Sequence, residues 1–236
     1  NSSNIGSIKV LEKVGIEKQK KFFYNLGFNE DLKLKGLSSI NNSLPKDSDW
    51  NEVISKSISY GYGVSITPLS LVTTFSTLVN GGYKIKPRIL NKEQIFKKKI
   101  LKSQTSKEIN ILLNQIVEFG TGKKAKVDGI SVGGKTATAK KSKTNSKGYD
   151  ENKIITSFIG IFPAQKPKYI LLILFDEPKN QNGLIESHGG DTAAPVFSKI
   201  VNKISPILEI KHKRLNYNIE LARKRNLQKK LNFSVF

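Results

Sequence analysis

The first part of the chain has apolar residues at helical spacing. Ile5 and Phe22 belong to a series that repeats every three to four positions and is interrupted near Gly15. Because one face of a helix returns every 3.6 residues, this series predicts two short helices, the second of which ends at Gly27. The stretch 29–50 is mostly polar and predicts a loop with short extended pieces.

Two further helices have recognisable start signals. The Thr-Pro pair at 67–68 is typical of a helix N-cap and first turn, and the apolar pattern after it continues to Asn80, where two glycines follow. Thr105 and Glu108 have the T-x-x-E spacing of a capping box, which predicts a second long helix that ends before the next glycine.

The second half of the chain has strand-type patterns. Residues 154–162 and 169–176 are apolar runs separated by a proline-containing turn, which predicts an antiparallel pair. The stretch 131–141 adds a third strand, and 83–90 is expected at a sheet edge. A final amphipathic helix at 193–208 suits packing on the sheet. The sequence therefore predicts an α+β fold, with an antiparallel β-sheet flanked by helices.

The strand at 131–141, SVGGKTATAKK, is the most distinctive stretch. Small residues surround one lysine and two threonines, so a bare backbone edge would present a cation and two hydroxyls to an anion or a carboxylate. Successive side chains of a strand point to opposite faces. We therefore expect Thr136 and Thr138 on one side, and Lys135 and Ala137 on the other.

Composition narrows the range of functions. Of the 236 residues, 40 are Lys or Arg and 19 are Asp or Glu, a formal net charge of +21. A nucleic-acid-binding protein is one alternative, but the lysines are spread along the whole chain with few aromatic residues between them, which favours a generally lysine-rich protein. There is no cysteine, and His188 and His212 are the only histidines. We expect no metal and no cofactor.

Four motifs in a fixed order are more specific than any one of them. They are S-x-N at 2–4, G-Y-G at 61–63, K-T-x-T-A at 135–139 and HGGDTAAPVF at 188–197. In this order they resemble the C-terminal half of the transpeptidase domain of class B, cell-division-type penicillin-binding proteins. The resemblance covers residues 1–208 as a partial domain of the penicillin-binding/β-lactamase-like transpeptidase fold, and leaves 209–236 as a basic tail.

The resemblance implies a serine-type D,D-transpeptidase that cross-links peptidoglycan stem peptides in septal cell-wall synthesis. By this likeness Ser2 would relay a proton, and Asn4 would orient the substrate amide. Lys135 would hold Ser2 and supply positive potential. Thr136, Ala137 and Thr138 would form the substrate-binding segment: the two threonine hydroxyls would bind the terminal carboxylate, and the Thr138 N–H would be one oxyanion donor. The glycine-containing motifs at 61–63 and 188–190 are expected to be structural turns.

The resemblance also implies partners and a location. The substrate would be a D-Ala-D-Ala stem peptide, β-lactams would bind at the same site, and divisome membrane proteins would be neighbours, with no nucleic acid expected. The location would be the periplasmic face of the bacterial inner membrane. The membrane anchor is expected in an N-terminal part that precedes this chain.

Two departures from the family pattern affect the expected activity. The nucleophile motif S-x-x-K should precede S-x-N, and its one match here, Ser43 to Lys46, contains a proline and is not expected to be catalytic. A catalytically inactive fragment or interaction module is therefore a further alternative. Ala137 replaces the glycine of K-T-G, and its methyl group is expected on the crowded Lys135 side, where an extra carbon typically costs about 1–3 kcal/mol.

Overall fold

The computed structural model describes residues 2–32, 34, 41–90, 96–143, 148–179, 183 and 188–210. Its helices are α1 (Asn4–Val14), α2 (Ile16–Leu26), α3 (Glu52–Ser59), α4 (Pro68–Val79), α5 (Ser103–Phe119) and α6 (Ala193–Ile204). Its strands are β1 (Tyr83–Ile85), β2 (Lys97–Lys99), β3 (Gly133–Ser142), β4 (Tyr149–Phe162) and β5 (Tyr169–Asp176). This mixture of helices and antiparallel strands confirms the predicted α+β class.

The main sheet is formed by β3, β4 and β5, all antiparallel, with β4 in the middle. The register places Thr138 opposite Thr156 and Gly134 opposite Gly160. Among the described strands β3 pairs with β4 alone, so the second edge of β3 is open there. The predicted antiparallel pair and the predicted third strand are both confirmed.

Alternate residues of β4 pack into two different helical layers. Phe158 and Phe162 face α6, where the ring of Phe197 lies 4.9 Å and 5.9 Å from their ring centroids. Ile159 and Ile161 belong to the other cluster, with residues of α4 and α5. Because strand side chains alternate in direction, one apolar strand joins both layers. Each fully buried side chain of this kind contributes roughly 1.5–3 kcal/mol.

The predicted helix boundaries near the N-terminus and at the Thr-Pro pair are confirmed. Gly15 separates α1 from α2 with a φ of 87°, and Gly27 ends α2 in the left-handed region. Only glycine adopts such values without strain. Thr67 caps α4, because its hydroxyl accepts a hydrogen bond from the backbone N–H of Ser70 at 3.2 Å.

The predicted capping box of α5 is wrong. The helix begins at Ser103, with Lys102 as its N-cap, so Thr105 already lies inside the first turn. The start is fixed by tertiary contacts. Backbone N–H groups at positions 100 and 101 donate to the carbonyl of Gly82 at 2.8 Å and 3.1 Å, which positions the chain for the helix to begin directly afterwards.

The smaller sheet differs from the predicted edge strand. β1 ends at Ile85, before Pro87, and pairs with β2, which the sequence pattern did not predict. The two strands are held partly by Tyr83, whose ring centroid lies 4.0 Å from Lys97 Nζ and 4.2 Å from Lys99 Nζ. All three residues of β2 are exposed, so the strand has no buried apolar face that a sequence pattern could have predicted.

The core extends past the predicted boundary of the basic tail. Ile210 is only 7% exposed and belongs to the cluster that contains the α6 residues Phe197 and Val201. The core therefore extends two residues past the predicted boundary at Leu208, and 211–236 lie outside the described residues. None of the described helices is both long enough and apolar enough to cross a membrane.

Candidate active site

The serine of the S-x-N motif and the strand lysine are in direct contact. Ser2 lies just before α1, whose N-cap is Ser3, with Ser3 Oγ accepting from the Gly6 N–H at 3.1 Å. Lys135 extends from β3, and its Nζ donates to Ser2 Oγ at 3.1 Å and to the carbonyl of Thr136 at 2.7 Å. The fold thus joins two side chains that are 133 positions apart in sequence.

The charge of Lys135 is not neutralised by a carboxylate in the described part of the chain. None of the ion pairs found there includes it. Burial lowers the pKa of its ammonium group from the ordinary value of 10.5. Among the described residues its two hydrogen-bond partners, the Ser2 hydroxyl and the Thr136 carbonyl, are neutral oxygens, so the positive potential is available to an anion that binds beside Ser2.

The third residue of this predicted group lies at the start of α1. Asn4 is the first residue of the helix and is exposed, as is Ser2. Both side chains are therefore accessible at this end of α1. The assignment of Asn4 to the substrate amide stays a prediction.

The two threonines of β3 engage partners other than those of Lys135. Thr136 Oγ1 lies 3.1 Å from Thr121 Oγ1, and Thr138 Oγ1 accepts a hydrogen bond from the backbone N–H of Gly189 at 3.2 Å. These contacts agree with the expected alternation, which separates the hydroxyls from the lysine side chain. Two surface loops therefore border the hydroxyl side of the strand.

Ala137 is not packed as expected. The residue is exposed in the described structure, although the sequence predicted a crowded position on the Lys135 side. The alternation of a strand determines which face of β3 the methyl group points to but not what covers that face, and the described residues leave it exposed. A steric cost of the alanine methyl group is therefore not evident within the described residues.

On the open edge of β3, the backbone groups of one residue are accessible, while the residues two positions before and after it each bind a side chain. In an antiparallel ladder every second residue directs its backbone groups away from the partner strand. The carbonyl of Thr136 binds Lys135, and the N–H of Lys140 donates to the hydroxyl of Tyr62 at 3.3 Å, so these two residues face the open edge. Thr138 has the same parity. Its N–H and C=O therefore face the open edge, where an extended ligand could pair with them.

The G-Y-G motif forms a turn that packs against the end of this edge. Gly61 and Gly63 have φ values of 99° and 78°, which explains why the sequence has glycine at both positions. The ring of Tyr62 packs edge-on against Tyr149 at 4.7 Å, and the Tyr149 hydroxyl accepts from the Gly63 N–H at 3.3 Å. The motif is thus a structural turn that also contributes a side chain to the site.

The H-G-G motif is a turn that lies directly on the sheet. A Cβ atom on Gly189 would lie 2.5 Å from the carbonyl oxygen of Ser157 and 2.6 Å from that of Ala137. A Cβ on Gly190 would lie 2.7 Å from the carbonyl oxygen of Thr121. Both positions therefore exclude a side chain. The turn continues directly into α6, because Gly189 O accepts from the first two N–H groups of that helix.

The S-x-x-K match at 43–46 has no catalytic geometry. Ser43 is in an isolated bridge with Ser65, through backbone hydrogen bonds of 2.8 Å and 2.9 Å. Lys46 has an extended backbone before a short 3-10 turn. A helix that would place serine and lysine on one face is not formed there, in agreement with the expectation from its proline.

Sequence reasoning missed two residues that border the site. Tyr62 was assigned only to a turn, and Thr121 was not considered. The available signal for Thr121 was its position in a G-T-G sequence between a helix and the lysine strand, where small residues let a loop approach a sheet closely.

Together these groups suit acyl transfer. A serine hydroxyl held by a cation lies near a strand edge with a free backbone donor and acceptor, and two hydroxyls follow on the same strand. Such a set can carry a proton, stabilise an oxyanion and hold a carboxylate. In the described ranges no three histidine, aspartate or glutamate side chains are grouped as metal ligands would be.

Comparison with known proteins places the chain in a family. Residues 1–202 match the family described as the penicillin binding protein transpeptidase domain. The chain is 35% identical over 225 residues to the probable peptidoglycan D,D-transpeptidase FtsI of Caulobacter vibrioides, which covers 90% of this chain and 38% of that protein. It is also 35% identical over 231 residues to the stage V sporulation protein D of Bacillus subtilis, covering 91% of this chain and 34% of that protein.

A solved structure agrees with this relationship. The transpeptidase domain of Burkholderia pseudomallei penicillin-binding protein 3, without ligand, superimposes with a TM-score of 0.78 at 26% identity, covering 89% of this chain and 63% of that one. The chain belongs to the penicillin-binding protein transpeptidase family. It spans between a third and two fifths of the length of the two curated relatives.

Proposed function

We propose that this chain forms the part of a serine-type D,D-transpeptidase that binds the stem peptide and carries the proton during acyl transfer. The observation that supports it best is the 3.1 Å contact between Ser2 and Lys135, beside the open edge of β3. In the proposed reaction a serine attacks the penultimate D-Ala carbonyl and forms an ester. The bond to the terminal D-Ala breaks, and the amine of a second stem peptide then takes the acyl group.

The predicted site residues other than Ala137 each have a part in this scheme, and Ala137 supplies the backbone between the two threonines. The terminal carboxylate of the peptide binds the hydroxyls of Thr136 and Thr138. The attacked carbonyl accepts a hydrogen bond from the Thr138 N–H, which faces the open edge. Ser2 passes the proton lost by the attacking serine to the leaving amine, and Lys135 stabilises the charge that develops on Ser2. Asn4 orients the peptide amide. β-Lactams, whose carboxylate resembles that of the peptide, bind the same groups.

The attacking serine is supplied by an S-x-x-K segment outside these 236 residues. The one S-x-x-K within the sequence is tied into a backbone bridge at Ser43 and has no helix to present it. The assembled enzyme acts in septal cell-wall synthesis at the periplasmic face of the bacterial inner membrane, beside divisome membrane proteins. The name of the Caulobacter relative, a probable peptidoglycan D,D-transpeptidase, supports a role in peptidoglycan cross-linking.

A labelling experiment tests the assignment of Lys135. The chain is extended at its N-terminus by a transpeptidase segment that carries S-x-x-K, and the second-order rate of acylation by a fluorescent penicillin is measured. We expect labelling of the added serine, and none of the unextended chain. Lys135→Ala should lower the rate about a hundredfold or more, because a preorganised electrostatic group of this kind typically contributes a factor of about 10²–10³.

The matched control is Lys141→Ala on the same strand. Lys141 is neutralised by Asp176 and Glu177, both at 2.9 Å, so its removal should leave the rate within about twofold. A Lys135→Ala protein that reacts at the parental rate contradicts the proposed site. An acyl adduct on a serine of the unextended chain contradicts the external nucleophile.

A further inference from the structure

Thr121 lies next to the proposed carboxylate site but outside the strand that carries it. It belongs to the loop between α5 and β3, is exposed, and places its hydroxyl oxygen 3.1 Å from that of Thr136. Two hydroxyls at this distance share one hydrogen bond, and either can be the donor. The direction of that hydrogen bond decides whether Thr136 can donate to a ligand.

The neighbouring threonine has the same arrangement with a fixed donor. The oxygen of Thr138 accepts from the backbone N–H of Gly189, which can only donate. The hydroxyl proton of Thr138 is therefore free to point to a ligand. If Thr121 donates to Thr136 in the same way, both strand hydroxyls have a donor behind them and both protons are available to one carboxylate.

We propose that Thr121 is a positioning residue that orients the Thr136 hydroxyl toward the carboxylate of the bound peptide. This inference rests on the proposed function. An anion near Thr136 selects the arrangement in which Thr136 donates to it and Thr121 donates to Thr136. In such a chain each hydrogen bond polarises the next, which strengthens the one to the charged group.

The loop that carries Thr121 is held firmly enough for this role. A Cβ atom on Gly190 would lie 2.7 Å from the carbonyl oxygen of Thr121, so the two loops are in close contact. The backbone N–H of the next residue, Gly122, donates to the carbonyl of Ile116 at 3.1 Å. Lys124 pairs with Asp191 at 2.8 Å and joins the same loop to the H-G-G turn. The hydroxyl of Thr121 is thus preorganised by contacts on both sides.

A pair of ligands separates orientation of the carboxylate grip from general damage to the site. The probes are diacetyl-Lys-D-Ala-D-Ala and the same peptide with a C-terminal amide, titrated into the chain and followed through the backbone amide signals at 136–138. The parent should prefer the free carboxylate. Thr121→Val should weaken carboxylate binding about three- to tenfold, the range expected for one hydrogen bond, and leave amide binding unchanged.

Two variants complete the comparison. Thr121→Ser keeps the hydroxyl and should restore the preference for the carboxylate. Thr105→Val changes an exposed threonine in the first turn of α5 and should leave both affinities unchanged. If Thr121→Val loses cooperative melting, Thr121→Ala takes its place and is interpreted in the same way.

The possible results are distinguishable. A parental carboxylate preference that Thr121→Val leaves intact overturns the role of Thr121 and leaves the proposed function standing. An equal loss for both peptides shows a structural effect and also overturns it. A parent that binds both peptides alike contradicts the carboxylate grip itself, and the role of Thr121 fails with it.

Discussion

The hydroxyl of Tyr62 accepts a hydrogen bond from the backbone N–H of Lys140 at 3.3 Å and thereby occupies the open edge of β3. At the other end of the same edge, Lys135 occupies the carbonyl of Thr136. An extended ligand therefore finds one residue, Thr138, with both backbone groups accessible. This spacing suits a peptide that ends close to its reactive bond, because a longer ladder cannot form without displacing one of the two side chains.

Replacing Tyr62 with phenylalanine should open the edge at Lys140. The ring contact with Tyr149 is retained, but the backbone N–H of Lys140 loses its acceptor. Since a hydrogen bond of this kind contributes about 0.5–1.5 kcal/mol, we expect amide hydrogen exchange at Lys140 to be about three- to tenfold faster. Residue-resolved exchange by NMR measures this directly.

Tyr60→Phe is the matched control, since its ring packs against Tyr62 at a centroid distance of 5.9 Å. It should leave exchange at Lys140 at the parental rate. Unchanged exchange at Lys140 in Tyr62→Phe would show that the phenol does not hold this edge in solution.

The buried ammonium of Lys135 should make stability depend on pH in a characteristic direction. Burial lowers the pKa of Lys135 in the folded state below its unfolded value of 10.5. At a pH between the folded-state pKa and 10.5, the unfolded chain therefore binds more protons than the folded one. Stability that depends on this group therefore rises with pH through that window. The free energy of unfolding in urea, measured at pH 7 and pH 10, should increase in the parent relative to Lys135→Met.

Lys141→Met is the control, because the pKa of Lys141 is shifted in the opposite direction to that of Lys135. Hydrogen bonds to Glu177 and then Asp176 raise the pKa of Lys141 above 10.5, so its contribution is fully present below that pH and is lost only above it. Between pH 7 and pH 10 the parent and Lys141→Met should therefore keep a constant difference. A parent that loses stability relative to Lys135→Met over this range would contradict the assigned direction.

The parts of the fold that the sequence predicted are those with a local signal. β4 and β5 are apolar runs bounded by turn residues, and α4 has a Thr cap and a Pro in its first turn. β2 has the sequence KKK and no apolar alternation; all three of its residues are exposed, and two of its lysines lie over the ring of Tyr83. The first residue of α5 was also missed, since a carbonyl in another part of the chain, that of Gly82, sets where the preceding segment ends.

In the candidate site, too, the residues with a local sequence motif were predicted, and those that depend on contacts between distant parts of the chain were not. The pairing of Ser2 with Lys135 followed from motifs that resemble a known family. Thr121 and Tyr62 were missed because their importance depends on loops that approach β3 from distant parts of the chain. The expected crowding at Ala137 failed for a related reason: alternation predicts which side a residue faces but not whether anything covers that side.

Replacing Gly189 with alanine should push the H-G-G turn away from its close contact with the sheet. The new Cβ would lie 2.5 Å and 2.6 Å from two backbone oxygens, which cannot move as a flexible side chain would. Overpacking of this kind typically costs about 1–3 kcal/mol or more. We expect a lower free energy of unfolding in urea and loss of the hydrogen bond to Thr138, visible as faster amide exchange at Gly189.

Gly6→Ala is the control for that substitution. Gly6 is in α1, and the nearest atom to its added Cβ would be 3.4 Å away, an ordinary contact. Alanine in a helix should stabilise by about 0.5–1 kcal/mol. Equal effects of the two substitutions would show that the turn adjusts and that the close approach is not required.

The end of the described chain should contribute to stability through one side chain. Ile210 is 7% exposed and packs with the α6 residues of the core, whereas Ile207, three positions earlier, is 79% exposed. Removing a buried isoleucine side chain leaves a cavity and typically costs about 2–5 kcal/mol. We therefore expect Ile210→Ala to lower the free energy of unfolding by an amount in that range, and Ile207→Ala to change it by less than about 0.5 kcal/mol.

Truncation distinguishes this contribution from that of the rest of the tail. A chain that ends at Leu208 loses Ile210, while a chain that ends at Ile210 keeps it. If residues beyond Ile210 are dispensable for folding, the second chain should unfold in urea like the parent and the first like Ile210→Ala. A chain ending at Ile210 that is as unstable as one ending at Leu208 would show that the tail itself packs on the core. Parental stability of the chain ending at Leu208 would show that Ile210 adds nothing to the core.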